Sequence, residues 1–294
     1  MGFEWQNADD ETLERHFNPR VAIADALPLI EGYTSKSKAA RKDIRGWYDF
    51  RYGPNALQTY DVHPPTVDAL GSPAPMLIFI HGGYWRALDK SDHTWFAPVF
   101  VRSGVLSINL NYDLCPAVTL DDIVYEARRA IAHLHRQASN FGGDPRRLYV
   151  VGHSAGAQMA AMLLNYDWGE VELPADTIKG AACISGIYEP AVVMRTSVNA
   201  DVRLDQATAE RNDCLAQPPR RPTPVIVAVG GDEPEGWRQQ SLNYADVCRQ
   251  AGCEVSLLDV AGSNHFTVAE ELTRKDSALT AAILARIAAL PRPG

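Results

Sequence analysis

The sequence contains no long hydrophobic run and little positive charge. The apolar stretch at 278–290 is broken by Arg286 and is shorter than the roughly 18 residues that a membrane-spanning helix needs. The chain has 28 Lys and Arg residues against 36 Asp and Glu residues, a net charge of −8. A basic surface for nucleic acid or anionic lipid is therefore absent. We expect a small-molecule substrate as the partner, with no nucleic acid and no membrane, and leave a homodimer open.

Cysteine is scarce and metal-ligand spacings are missing. The five cysteines are an odd number and form no C-x-x-C pair, which is typical of reduced thiols. The first eleven residues are acidic and lack the apolar core of a secretion signal. We therefore expect a cytoplasmic protein. Because no H-E-x-x-H or similar spacing occurs, we expect no metal and no cofactor.

Short apolar runs alternate with helical patterns from about residue 52 onwards. Each run is rich in Val, Ile or Leu and bounded by Gly or Pro, as buried strands of a parallel sheet are. The runs are Leu57–Val62, Met76–Ile80, Val105–Leu110, Leu148–Val151, Ala181–Ile184, Val225–Val229 and Val255–Val260. Between them, Thr119-x-x-Asp122 forms a capping box that opens an amphipathic helix. This pattern predicts an α/β fold, a three-layer sandwich with a mostly parallel twisted sheet and helices on both faces.

Two segments lie outside the regular alternation. Residues 1–51 are polar and favour short helices, which makes them an N-terminal helical extension. Residues 186–224 form a long connection, and long insertions in compact domains often serve as lids or substrate-binding segments; a plain surface excursion is the alternative. The Pro-rich end of this connection indicates a return to the same sheet, so we expect residues 1–294 to form one domain.

The strongest chemical signal is Gly152-His153-Ser154-Ala155-Gly156. It follows the strand pattern at 147–151 and opens a helical pattern, which is the strand–turn–helix context of a nucleophile elbow. The turn leaves the Ser154 hydroxyl at the carboxyl edge of the sheet. We predict Ser154 as the catalytic nucleophile. The N–H of Ala155, at a helix N-terminus, is then placed to bind an oxyanion.

A serine needs a base and an acid, which follow it in the order Ser, acid, His. His265 is the only histidine after Ser154, and it lies in a small-residue loop after the last strand. We predict His265 as the base. The acid is expected just past the preceding strand, where Asp232 comes first. Glu233 and Glu235 are near rivals and Asp259 is a weaker one, but we predict Asp232.

A glycine pair follows the strand at 76–80, in the run His81-Gly82-Gly83-Tyr84-Trp85. Two glycines allow backbone N–H groups to turn toward the nucleophile, so we predict Gly82, Gly83, Tyr84 and Ala155 as the oxyanion hole. His81 is expected to be a scaffold residue. Aromatic residues adjoin this loop and the next strand. We predict Tyr84, Trp85 and Tyr112 as substrate-binding residues, with core packing as the alternative for Trp85.

These motifs resemble one branch of a known superfamily. "HGGYW" together with "GHSAG" is similar to the kynurenine formamidase (arylformamidase) branch of the α/β hydrolases. The segments "HFNPR", "NYDLCPAVTLDDI", "SGIYEP" and "NHFTV" extend the resemblance over most of the chain. The family's acid lies in a D-x-P-E-F-x-x-Q-S pattern, which Asp232, Pro234, Glu235, Gln240 and Ser241 match with one extra residue and with Gly236-Trp237 in place of Phe.

The resemblance implies a serine hydrolase of the α/β-hydrolase fold that cleaves a small-acyl aryl amide. The implied reaction is hydrolysis of N-formylkynurenine to kynurenine and formate, a step of tryptophan catabolism. A carboxylesterase for small acyl esters would use the same residues and is the main alternative. A hydrolase-fold protein that only binds a ligand is a minor one, since such a protein would be expected to lack a member of the triad.

Overall fold

The computed structural model describes residues 2–66 and 72–291 of the 294-residue chain. Within them, eight strands form one sheet: β1 (Trp47–Arg51), β2 (Thr59–His63), β3 (Ala74–Ile80), β4 (Leu106–Leu110), β5 (Gly143–His153), β6 (Ile178–Ile184), β7 (Val225–Gly230) and β8 (Val255–Val260). Their order is β1-β2-β4-β3-β5-β6-β7-β8. β2 pairs antiparallel with both of its neighbours, β1 and β4. All the other neighbouring strands in the sheet pair parallel.

The central strand β3 is apolar along its whole length because both faces of the sheet are covered. Every residue of β3 is buried, and its side chains alternate between two cores. Met76, Ile78 and Ile80 belong to one core, and Leu77 and Phe79 belong to the other. The predicted α/β fold with a mostly parallel sheet between helices is therefore confirmed.

Eleven α-helices are present in the described residues: α1 (Asp10–Phe17), α2 (Pro19–Ala22), α3 (Ala26–Asp43), α4 (Ala97–Arg102), α5 (Leu120–Gln137), α6 (Ala155–Asn165), α7 (Asn199–Val202), α8 (Gln206–Arg211), α9 (Glu235–Gln250), α10 (Thr267–Glu270) and α11 (Ala278–Ala288). Short 3-10 turns connect some of them, at Trp5–Asn7, Lys90–Phe96, Ala138–Phe141, Trp168–Val171, Pro190–Arg195 and Glu271–Thr273. Buried residues of α5, α6 and α9 pack in the first core. Buried residues of α3, α4 and α11 pack in the second.

Helix α5 begins as its sequence predicts. The Thr119 and Asp122 side chains accept hydrogen bonds from each other's backbone N–H groups, which completes the capping box. The apolar side of the helix, from Leu120 to Leu134, is buried against the sheet. Among the described residues, no helix is both long and apolar enough to cross a membrane.

The N-terminal region contains more structure than its composition indicates. It forms α1, α2 and the 18-residue helix α3, as a helical extension should, but it ends in β1. This strand, with the sequence WYDFR, lacks the apolar character of the inner strands because it lies at the edge of the sheet. The single-domain assignment of 1–294 stays a prediction, and it includes residues 1, 67–71 and 292–294, which lie outside the described ones.

Candidate active site

Ser154 occupies the sharp turn between β5 and α6. Its backbone has φ 57° and ψ −121°, a strained conformation for a residue with a side chain. The flanking glycines make the turn sterically feasible. A Cβ on Gly152 would lie 2.1 Å from the Gly156 carbonyl oxygen, and one on Gly156 would lie 2.0 Å from the Ile80 carbonyl oxygen. The structure therefore has the nucleophile-elbow geometry that the sequence predicts.

A chain of hydrogen bonds leads from Ser154 to a carboxylate. His265 Nε2 lies 3.0 Å from Ser154 Oγ, and His265 Nδ1 lies 2.7 Å from Glu233 Oε2. All three side chains are buried. With the proton on Nδ1, His265 donates to the carboxylate and Nε2 accepts from the serine hydroxyl. This is the arrangement in which imidazole can take the serine proton.

The acid is Glu233 in this geometry, which corrects the prediction of Asp232. A turn follows β7, in which the Glu233 N–H donates to the Gly230 carbonyl at 3.1 Å. This turn brings Glu233 back over the end of the strand, whereas the Asp232 side chain is exposed to solvent. The rival Asp259 instead pairs with Arg238 at the surface.

Two further donors orient Glu233. The Gly230 N–H donates to Glu233 Oε1 at 2.7 Å, and the Ser185 hydroxyl donates to the same oxygen. Ser185 follows β6 and has a positive φ of 49°. Its role was missed at the sequence level, where "SGIYEP" signalled only a similarity. Glu233 thus accepts three hydrogen bonds, and the two at Oε1 fix the direction of Oε2 toward His265.

His265 is also held through its backbone and its ring face. His153 Nε2 donates to the His265 carbonyl at 2.8 Å, so Nε2 carries a proton. The imidazole is then either the neutral Nε2–H tautomer or doubly protonated. Burial and the neighbouring His265 hold the pKa of His153 well below its usual value, which favours the neutral form. The Trp237 ring lies 4.3 Å from the His265 ring, centroid to centroid. Neither contact was predicted.

The glycine loop after β3 lies directly against the nucleophile. A Cβ on Gly82 would be 2.9 Å from Ser154 Cβ, and one on Gly83, at φ 111°, would be 2.0 Å from the Ala87 carbonyl oxygen. His81 is a buried scaffold residue, as expected, because its Nδ1 donates to the Gly82 carbonyl at 2.7 Å. The N–H of Ala155 is in the first turn of α6, where backbone donors have no partner within the helix. The predicted oxyanion residues and Ser154 therefore adjoin one another.

A cleft opens above Ser154. The site residues and the glycine loop form its base, and α2, α3 and their flanks form a wall. The lining residues are Asn18, Pro19, Arg20, Ile30, Tyr33, Gly82, Gly83, Tyr84, Arg86, Leu88, His153, Ser154, His265 and Phe266. The N-terminal extension therefore contributes directly to the site.

Only one of the three predicted substrate-binding aromatics lines this cleft. Tyr84 does so, and its hydroxyl donates to the Phe17 carbonyl. Trp85 and Tyr112 are both 0% exposed and are absent from the cleft lining, which corrects the prediction for these two residues. Tyr112 instead stacks on His81 and donates to the His81 carbonyl at 2.9 Å, so it supports the loop from behind.

The connection at 186–224 adjoins the N-terminal extension, and none of its residues is among those that line the cleft. Glu189 accepts from the Trp5 indole at 3.1 Å, and Arg195 pairs with Asp10 at 2.7 Å. Ser197 donates to Glu14 through its backbone and its hydroxyl. The connection thus holds the N-terminal wall in position. Its predicted direct contact with substrate stays a prediction.

No metal-binding cluster is evident in residues 2–66 and 72–291. No three His, Cys, Asp or Glu side chains in these ranges come together in a way that could hold a metal ion. The chemistry that the described groups themselves offer is nucleophilic attack by a serine, assisted by an imidazole and a carboxylate.

The fold and the elbow define an α/β hydrolase, and comparison with known families agrees. A family model for the alpha/beta hydrolase fold matches residues 77–269, so the chain belongs to this family. A solved structure of a thioesterase-like protein from Silicibacter sp. superposes with a TM-score of 0.80 over 94% of this chain and 99% of that one, at 24% identity. That likeness concerns the fold.

Full-length relatives narrow the class. The kynurenine formamidase of Salmo salar is 31% identical, over 95% of this chain and 97% of its own length. That of Danio rerio is 30% identical, over 97% of this chain and 98% of its own length. The chain is a kynurenine formamidase-like α/β hydrolase, as the sequence motifs indicated.

Proposed function

We propose that this enzyme hydrolyses an N-formyl aryl amide, with N-formylkynurenine as the substrate and kynurenine and formate as the products. The observation that carries the proposal is the hydrogen-bonded series Ser154–His265–Glu233 at the base of an open cleft. The similarity to kynurenine formamidases along nearly the whole chain supports the choice of substrate.

The reaction begins when Ser154 Oγ attacks the formyl carbon and His265 Nε2 takes the serine proton. Glu233 stabilises the imidazolium that forms and keeps its tautomer fixed. Backbone N–H groups of Gly82, Gly83, Tyr84 and Ala155 bind the oxyanion of the tetrahedral intermediate. His265 then gives its proton to the leaving aryl amine as the C–N bond breaks, which leaves a formyl ester on Ser154.

Water completes the cycle through the same groups. His265 removes a proton from a water molecule, the resulting nucleophile attacks the formyl ester, and Ser154 leaves with the proton as formate is released. The aryl amine needs an apolar wall, and Tyr33, Tyr84 and Phe266 line the cleft beside Ser154. These aromatics replace Trp85 and Tyr112 in the proposed contact with the ring.

The chain length of the acyl group tests this assignment. A formyl group carries only hydrogen on its carbonyl carbon, so a formamidase needs almost no acyl pocket beside Ser154, whereas an esterase for larger acids needs open space there. On one anilide scaffold we expect kcat/KM to fall from formyl to acetyl to butyryl, by about 1–3 kcal/mol in transition-state stabilisation for each added methylene. Steady-state kinetics with a fixed leaving group measures this series.

The Ser154→Ala variant is the control for the whole series. It should lower kcat by roughly 10⁶-fold and should no longer add a serine-directed phosphonate, as read by intact mass. A maximum at butyryl or longer, without turnover of N-formylkynurenine, would reject the formamidase assignment. It would favour the carboxylesterase, which uses the same nucleophile and base.

The location and the partners are also proposals. We place the protein in the cytoplasm, which the five free cysteines support because reduced thiols are usual in that compartment. A small-molecule substrate is the partner that the cleft favours. Independence from cofactors stays a prediction, to be tested by full activity after extensive dialysis against chelator.

A further inference from the structure

The wall of the cleft carries an arginine that the reaction described above does not use. Arg20 lies in α2 and lines the same cleft as Ser154. Its residue is exposed, so the guanidinium is open to solvent at the cleft. Among the described residues it has no hydrogen-bond or ion-pair partner for its side chain.

The backbone that carries Arg20 is firmly held. The Asn18 side chain accepts from the Arg20 N–H at 3.2 Å and donates to Glu14 at 2.6 Å. The preceding Phe17 carbonyl accepts from the Tyr84 hydroxyl, which ties this segment to the glycine loop. The backbone at Arg20 is therefore already ordered, and binding a ligand costs little backbone conformational entropy.

The charges around the cleft favour an anion. The lining residues include Arg20 and Arg86, and none of them is Asp or Glu. Arg86 already pairs with Asp201. In a chain with a net charge of −8, an acid-free cleft with one unpaired arginine is a local exception. A guanidinium binds a carboxylate through two parallel N–H···O bonds, which fix its orientation as well as its position.

We propose that Arg20 binds a carboxylate of the substrate at the cleft wall while Ser154 attacks the formyl group. The preferred substrate is then an aryl formamide that carries a carboxylate on its side chain. This inference rests on the proposed function and adds a specificity residue to it. The contribution is to binding, and it comes from the N-terminal extension rather than from the 186–224 connection.

A matched pair of substrates tests the inference. N-formylkynurenine carries the carboxylate, and 2-formamidoacetophenone has the same formyl anilide without the amino-acid side chain. Arg20→Gln should lower kcat/KM for N-formylkynurenine by about 10-fold, mainly through KM, since the guanidinium is exposed and partly screened. It should change kcat/KM for the neutral formamide by less than about twofold. Arg20→Lys keeps the positive charge but loses the two parallel N–H donors of the guanidinium. Its kcat/KM for N-formylkynurenine should therefore lie between those of the wild type and Arg20→Gln.

Arg15→Gln is the control variant. It removes the same charge from α1, but Arg15 pairs with Glu11 and is not among the cleft residues. This variant should leave both substrates unaffected. Added NaCl should raise the KM for N-formylkynurenine in the wild type and much less in Arg20→Gln, because salt screens an exposed ion pair. Thermal melting of each variant confirms that it is folded.

The outcomes separate the two proposals. If the wild type hydrolyses both formamides equally well, or if Arg20→Gln weakens both to the same extent, the carboxylate site is overturned while the formamidase function stands. If the wild type hydrolyses neither formamide, the proposed function fails, and this inference fails with it. A loss confined to the anionic substrate supports both.

Discussion

At the scale of single residues, Glu233 carries the most specific prediction. It accepts from His265, Ser185 and Gly230, so its replacement by Gln would present an amide N–H to groups that are themselves donors. The His265 tautomer would no longer be fixed. We expect Glu233→Gln to lower kcat by roughly 10⁴-fold, the size of the effect when the acid of a triad is lost. Steady-state kinetics on the formamide measures it.

The neighbouring acid is the matched control. Asp232→Asn changes the same charge one residue away, on an exposed side chain, and should retain nearly all activity. Greater damage from Asp232→Asn than from Glu233→Gln would contradict the assignment.

The site was predictable from sequence where a motif fixes the backbone. The tight turn around Ser154 admits only small neighbours, so Gly152 and Gly156 signal it directly, and His265 was the only histidine downstream. The acid could not be predicted in this way, because Asp232 and Glu233 are adjacent in the sequence. Only the turn in which the Glu233 N–H donates to the Gly230 carbonyl decides which of the two faces His265. No sequence motif marks Ser185 as a hydrogen-bond donor to Glu233, since a serine that follows a strand can serve many structural roles.

At the scale of elements, the contact of α6 with β3 can be tested with two glycines. A Cβ on Gly156 would clash with the backbone oxygen of Ile80, which cannot move away as a side chain could. We expect Gly156→Ala to destabilise the protein by about 1–3 kcal/mol and to reduce kcat, because α6 positions Ser154 and Ala155. Urea unfolding and kinetics measure the two effects.

Gly32 is the matched position for this substitution. It lies within α3, and nothing is within 4 Å of the place where its Cβ would be. Gly32→Ala should stabilise the protein by about 0.5–1 kcal/mol, because alanine has less freedom to lose in a helix. Equal destabilisation by the two substitutions would show that the close approach of α6 to β3 is not what Gly156 provides.

The N-terminal elements show why periodicity predicts some parts of a fold better than others. The inner strands contain short apolar runs that mark them in the sequence, whereas β1 is a polar edge strand. The role of α2 and α3 as a wall of the cleft depends on contacts between residues far apart in the chain, such as Trp5 with Glu189, 184 residues apart, and Asn18 with Ser197, 179 residues apart. Local sequence carries no signal for such distant partners, so the sequence patterns predict a lid or substrate-binding segment at 186–224 and only a helical extension at the N-terminus.

At the scale of the whole molecule, buried histidines couple stability to pH. His63, His81, His93 and His153 are all buried, and burial lowers the pKa of each one, to about 4 for His63 and about 3 for His93. In the unfolded chain these imidazoles titrate near 6.5. Below that pH the unfolded state binds more protons than the native state, so acid must reduce the free energy of unfolding.

His63 allows this effect to be isolated, because it lies in β2 away from the cleft residues. Its contribution to stability is present above pH 6.5, and it is lost as the pH falls from 6.5 toward its native pKa of about 4. Between pH 7 and pH 5 this loss is about 2 kcal/mol. We therefore expect His63→Gln to lessen the fall in unfolding free energy over that interval by about 2 kcal/mol, measured by urea unfolding at each pH.

His135→Gln, at a half-buried position on α5, is the control and should change the fall in unfolding free energy much less. A pH dependence that is the same in His63→Gln and the wild type would show that His63 is already protonated, or readily protonated, in the native state.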